Sequence, residues 1–125
     1  MRIVSGGEIR NAGTWNVTGD GMMRNTIGGT DLFTNNGTFR KTAGAGSTDI
    51  AVTLNNAGTV DGQSGTLSLQ DGGSGTGVYQ ATGSGILMFS AGTHQLNTGA
   101  SLAGTGTIRL TGTAILDVPA GTISS

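Results

Sequence analysis

Asn35-Asn36-Gly37-Thr38-Phe39 and Asn56-Ala57-Gly58-Thr59-Val60 carry the reading of this chain, and Asn11-Ala12-Gly13-Thr14-Trp15 carries the same phrase earlier. Each has an asparagine, a spacer, Gly-Thr and then an apolar residue. A second series runs through Gly65-Thr66-Leu67, Gly85-Ile86-Leu87 and Gly106-Thr107-Ile108, in nearly equal steps. A third joins Gly92-Thr93-His94 to Gly112-Thr113-Ala114 with the same step. Self-similarity at an interval of this size is what stacked supersecondary units leave in a sequence.

Within the most regular stretch, strand candidates begin about every seven positions: 86–90, 93–97, 100–104, 107–111 and 113–118. Three of them make one repeat of about 21 residues. Helices are excluded by the frequency of glycine and by the lack of a sustained i, i+3, i+4, i+7 pattern. Period two is present instead. Ile50, Val52 and Leu54 alternate with Asp49, Ala51 and Thr53; Leu67 and Leu69 with Thr66, Ser68 and Gln70; Ile108 and Leu110 with Thr107, Arg109 and Thr111. One side of each strand is therefore buried and the other wet. The expectation is an all-β parallel β-helix (β-solenoid), right-handed, with three short strands per turn of about 21 residues and about six turns. An antiparallel sandwich would need Asn-Gly hairpin turns between alternating strands. Asn36-Gly37 is the only Asn-Gly, and it recurs as Asn-Ala-Gly in register, which reads as a repeated corner. Asn36 and Asn56, one repeat apart, are expected to stack as an asparagine ladder. Residues 19–31 break the period and are read as an irregular loop insertion.

Composition limits the function. Of 125 residues, 25 are glycine and 20 threonine, while 10% are charged and the net charge is −1. Disorder combines low hydrophobicity with high net charge, and here the glycines keep register with apolar residues instead. Six basic and seven acidic residues lie scattered, with no footprint for nucleic acid. Arg40-Lys41 is the one adjacent basic pair and reads as a solvated strand edge. Without cysteine there is neither a disulfide framework nor a thiolate metal site. No apolar run approaches the ~20 residues of a membrane span, so no membrane insertion is expected. The start, Met1-Arg2-Ile3-Val4-Ser5-Gly6-Gly7, has no apolar core of a signal peptide. Residues 1–125 are expected to form a single solenoid segment, a piece of a longer repeat protein.

The stretches Phe33-Thr34-Asn35-Asn36-Gly37-Thr38-Phe39-Arg40-Lys41-Thr42, Leu54-Asn55-Asn56-Ala57-Gly58-Thr59-Val60 and Ser64-Gly65-Thr66-Leu67-Ser68-Leu69 resemble the Gly/Thr/Asn-rich repeat regions of very large secreted bacterial surface proteins. Leu87-Met88-Phe89-Ser90-Ala91-Gly92-Thr93-His94-Gln95-Leu96 continues the pattern. Such regions look like the β-helical passengers of autotransporters and of filamentous-haemagglutinin-type adhesins. The resemblance implies a non-enzymatic stalk or adhesin repeat at the cell surface. Its implied partners are surface glycans, a host or neighbouring cell surface, and adjoining solenoid repeats.

The chemistry-bearing residues are few. Enzymes of the pectate-lyase kind share the β-helix and group several acids with Arg or Lys on one face, so a carbohydrate-active or carbohydrate-binding β-helix is the alternative, as is a tailspike-like trimer. Asp49, Asp61 and Asp71 follow one another at about half the repeat, out of step with the turn. Gly72-Gly73-Ser74-Gly75-Thr76-Gly77 begins like a calcium-binding glycine-rich turn but has Gly77 where an aspartate ligand would stand. His94 shares strand parity with Leu96 and reads as structural. No cofactor or metal site is expected. Trp15, Phe33 and Phe39 read as core, and Tyr79 as an exposed residue offering weak contact to a glycan.

Overall fold

The computed structural model describes residues 2–3, 7–25 and 31–118. All of its regular elements among these residues are strands. The first turn is β1 (Arg2–Ile3), β2 (Glu8–Asn11) and β3 (Thr14–Val17), and the second β4 (Gly21–Asn25), β5 (Leu32–Asn35) and β6 (Thr38–Lys41). Then come β7 (Ser47–Ala51), β8 (Thr53–Asn56) and β9 (Thr59–Gly62), followed by β10 (Thr66–Leu69), β11 (Gly73–Gly75) and β12 (Val78–Ala81). The fifth turn is β13 (Ile86–Phe89), β14 (Thr93–Leu96) and β15 (Ser101–Ala103), and β16 (Thr107–Leu110) and β17 (Ile115–Asp117) follow it. Each strand pairs with the strand three places on, giving sheets β1-β4-β7-β10-β13-β16, β2-β5-β8-β11-β14-β17 and β3-β6-β9-β12-β15. Pairings along all three are parallel. The chain is therefore a parallel β-solenoid of about five turns. The turns differ in length: Leu32 pairs with Thr53, whereas the step is shorter from Leu54 to Gly73 and longest from Met23 to Ile50.

The three nested Gly-Thr series are the three sheets. Thr38, Thr59 and Val78 open successive strands of the third sheet, and their N–H groups donate to Gly13, Gly37 and Gly58 carbonyls, each at 2.8 Å. These glycines sit where the backbone of one turn comes down on the next. A Cβ built on Gly58 would land on the Gly37 carbonyl oxygen, and one on Gly37 on that of Gly13. Glycine is required at this corner for space, not for a left-handed backbone. The threonine then faces outward, and the next residue, Trp15, Phe39, Val60 or Tyr79, turns inward. Replacing Gly58 with alanine is expected to cost roughly 1–3 kcal/mol, because the backbone itself must move. Gly13→Ala, with nothing within 4 Å of the added carbon, is expected to change little. Parallel urea titrations compare the two.

Inside, the register aligns side chains into columns. Met23, Ile50, Leu69 and Phe89 run up the first sheet, and the second carries Phe33 and Leu54. Ile50, Val52, Leu54, Leu67 and Leu69 are all buried, as their alternation predicts. Trp15, Phe33 and Phe39 meet edge to face, with centroids 4.9–5.4 Å apart. Ile108 is partly buried, but Leu110 is 51% exposed, contrary to its parity. It stands on β16, the last strand of its sheet among the described residues, so only Phe89 of β13 stacks against it in register.

Three further expectations need correction. Residues 19–31 are not simply a loop, because Gly21–Asn25 form β4, paired with β1 and β7, and Met23 enters the core. Residues 26–30 lie outside the described residues. The asparagine ladder exists but is displaced by one position. Its rungs are Asn11, Asn35 and Asn56: Asn11 Nδ2 donates to Asn35 Oδ1 and Asn35 Nδ2 to Asn56 Oδ1, both at 2.9 Å, whereas Asn36 is exposed. Each rung also donates to a backbone carbonyl one turn on, at Thr38, Thr59 and Val78 respectively (2.9, 2.9 and 3.0 Å). Parity decides between neighbours: Asn35 and Asn56 stand two places after inward Phe33 and Leu54, and Asn36 three places after Phe33.

The Arg40-Lys41 pair is also not a uniformly solvated edge. Arg40 Nε bonds Asn16 Oδ1 at 2.6 Å on the outside. Lys41 points inward like Phe39 and is fully buried. Its ammonium donates to Asp20 Oδ1 (2.8 Å), Ala43 O (3.0 Å) and Gly19 O (3.1 Å), one acceptor for each of its three N–H groups. That full set of partners is what permits the buried charge. The hydrogen bond from Lys41 holds the Asp20 carboxyl below its usual range, so this contribution to stability is present above about pH 4 and lost in stronger acid.

Candidate functional site

The three aspartates are placed on different sides of the rod. Asp49 lies on β7 of the first sheet, Asp61 on β9 of the third, and Asp71 at the corner between β10 and β11. Asp61 is 4% exposed, and its carboxylate accepts from Gln63 Nε2 at 2.8 Å and Thr82 Oγ1 at 2.9 Å. It ties adjacent turns together. Asp49 accepts from Ser47 Oγ at 2.5 Å. Burial raises the Asp71 carboxyl above the ordinary carboxylate value, with the nearby His94 opposing. Among the described residues, no group of three or more His, Asp or Glu side chains is arranged to hold a metal ion.

Tyr79 is not a surface residue. It is 2% exposed and follows Gly77 as Val60 follows Gly58, continuing the first repeat series. Its hydroxyl sits beside Gly75, where a Cβ would come within 2.5 Å of it. Gly75 holds the register position above Asn56, so the phenol oxygen replaces the missing side chain of the next rung and is hydrogen-bonded by Asn56. Burial pushes the phenol up to about 12, with the Asn56 bond opposing. As the chain's one tyrosine, it gives a clean spectroscopic titration. The absorbance of phenolate is expected to stay flat through pH 10 and to rise only near pH 12 or on alkaline unfolding. The stability linked to this group is present below pH 10 and lost above it.

His94 is 3% exposed on the inward side of β14, beside Leu96. Nε2 lies 2.9 Å from the Ala91 carbonyl, which can only accept, so Nε2 carries the hydrogen. Burial lowers the ring's pKa, opposed by the Ala91 bond and by Asp71.

Two hollows stand out on the surface of the described rod. One, of about 190 Å³, is lined by Trp15, Val17, Met22, Met23, Phe39 and Ile50 among others. The other, of about 230 Å³, crosses the outer side of the second sheet between Thr34, Asn36, Asn55, Ser74, Thr76 and Asn97. Ser74, between the two glycines of β11, and Asn55 below it in register face this hollow. Its lining is uncharged, so it can donate and accept hydrogen bonds but supplies no acid, base or nucleophile pair.

The signals for the buried polar groups were present in the sequence. Lys41 stands two places after inward Phe39, and Tyr79 two places after a corner glycine. Reading strand parity through polar residues as well as apolar ones locates both. Compared with known proteins, the chain matches no protein-family model, no curated protein and no solved structure.

Proposed function

We propose that this chain is a non-enzymatic rod segment of an extracellular bacterial surface protein, serving as a stalk or adhesin repeat. The observation that supports this most is the interior: one apolar core and one asparagine ladder run across successive turns, so each turn is stabilised by its neighbours. Such a stack transmits length and stiffness. Each turn adds ~4.8 Å, so five turns reach about 24 Å. The separation of Asp49, Asp61 and Asp71 favours this reading over a carbohydrate-active β-helix, which needs grouped acids.

The test is to insert one and then two copies between an exported surface anchor and an epitope in a bacterial host, and to measure energy transfer from the epitope to a membrane dye. The rod reading predicts export and a gain in height of about 24 Å for each copy. Retention in the cytoplasm, or a height that does not depend on copy number, overturns it.

A further inference from the structure

The core contains one side chain whose charge can change near neutral pH, and it sits between two turns. His94 packs edge-on against Phe89, with centroids 4.8 Å apart. Its register neighbours are Gly73 of β11 and Leu116 of β17. Gly73 brings no side chain to this register position, and a Cβ built there would strike the Leu54 backbone of the preceding turn. Phe89 also meets Tyr79 of β12, with centroids 5.9 Å apart, and the Tyr79 hydroxyl is engaged at Asn56. The charged group acting on the ring is Asp71, at the corner before β11. Asp117 of β17 and Arg109 of β16 occupy outward positions.

A neutral imidazole suits this site. Its Nε2–H is satisfied by the Ala91 carbonyl, and the unprotonated Nδ1 requires no acceptor. An added proton brings a charge and a second donor into a site walled by Phe89 and Leu116. The nearest countercharge lies at the corner, outside the core. We propose that His94 is an acid-operated latch: protonation favours its departure from the core toward Asp71, which releases β17 from β14 and loosens this end of the described rod.

The sign follows from the direction of the shift. The ring's folded-state pKa lies below 6.5, so the stability it contributes is complete above pH 6.5 and is lost as pH falls. Asp20 is held below its ordinary value of 3.8 and so titrates in stronger acid. Asp71 is raised from 3.8 by burial, and its replacement by asparagine separates its contribution from that of the ring.

His94 is the chain's one histidine, so its imidazole resonances can be followed by NMR without assignment. They are expected to titrate below pH 6.5. Amide exchange, corrected for its intrinsic pH dependence, should rise in β14 and β17 by up to about tenfold per pH unit between 6.5 and the folded-state titration point. The turn containing β7, β8 and β9 should stay protected. In His94→Leu the acid-dependent rise should vanish. Titration at or above 6.5, or the same rise in His94→Leu, overturns the proposal. Should His94→Leu not fold, Asp71→Asn decides. Without the countercharge that draws the ring outward, the acid-induced opening must be smaller than that of the parent chain, and an equal or larger opening overturns the latch.

Discussion

Phe39→Ala is expected to lower the stability of the chain by about 3–5 kcal/mol, the range for emptying a fully buried aromatic site. Phe39 contacts both Trp15 (5.2 Å) and Phe33 (4.9 Å), and Phe33 belongs to the second sheet while Trp15 and Phe39 belong to the third. Removing it leaves a cavity and breaks both ring contacts, each worth about 0.5–1.5 kcal/mol beyond burial. The interior is too narrow to collapse around such a hole without shifting the strands. Trp15→Ala should cost less, because Trp15 is only partly buried. Urea unfolding of both variants tests this. A smaller effect for Phe39 than for Trp15 would contradict the inward assignment of β6.

The second large effect concerns a single step in register. Asn35→Ala is expected to cost about 2–4 kcal/mol, whereas Asn36→Ala should stay within about 0.5 kcal/mol. Asn35 gives up bonds to Asn56 Oδ1 and Thr59 O and withdraws the acceptor used by Asn11. Buried carbonyl oxygens are then left without that donor, and each such loss costs about 1–3 kcal/mol. Asn36 is exposed and carries no rung. The comparison of denaturation midpoints is direct, since the substitutions are chemically identical and adjacent. Equal effects would mean that the ladder does not run through Asn35.

The backbone plan was legible because it is written redundantly. A corner glycine, an outward threonine and an inward apolar residue recur in each sheet, so errors at one turn are corrected at the next. The polar interior was less legible. Asn35 and Asn36 differ only in parity, and composition says nothing about which amide faces inward. Lys41 reads as surface because lysine is rarely buried, and its three acceptors come from Gly19, Asp20 and Ala43. Asp20 lies in the stretch that breaks the period, so the partner was hidden by the irregularity. Tyr79 reads as exposed beside Val78, yet β12 places Val78 outward above Thr59 and Tyr79 inward above Val60. The strand at Gly21–Asn25 was obscured because the interval from Met23 to its partner Ile50 is longer than that from Leu32 to Thr53.

The most direct test of the parallel three-sheet stack uses the absence of cysteine from the natural sequence. Thr38 and Thr59 are register partners on adjacent parallel strands β6 and β9, whose spacing of ~4.8 Å lies within reach of a disulfide. The measurement is oxidation of the Thr38→Cys/Thr59→Cys chain, with Thr38→Cys/Thr66→Cys, on different sheets, as the comparison. The account predicts rapid, intramolecular closure of the first pair with the fold retained, and no closure of the second. Failure of the first pair to close while the second closes would show that strands one repeat apart are not neighbours.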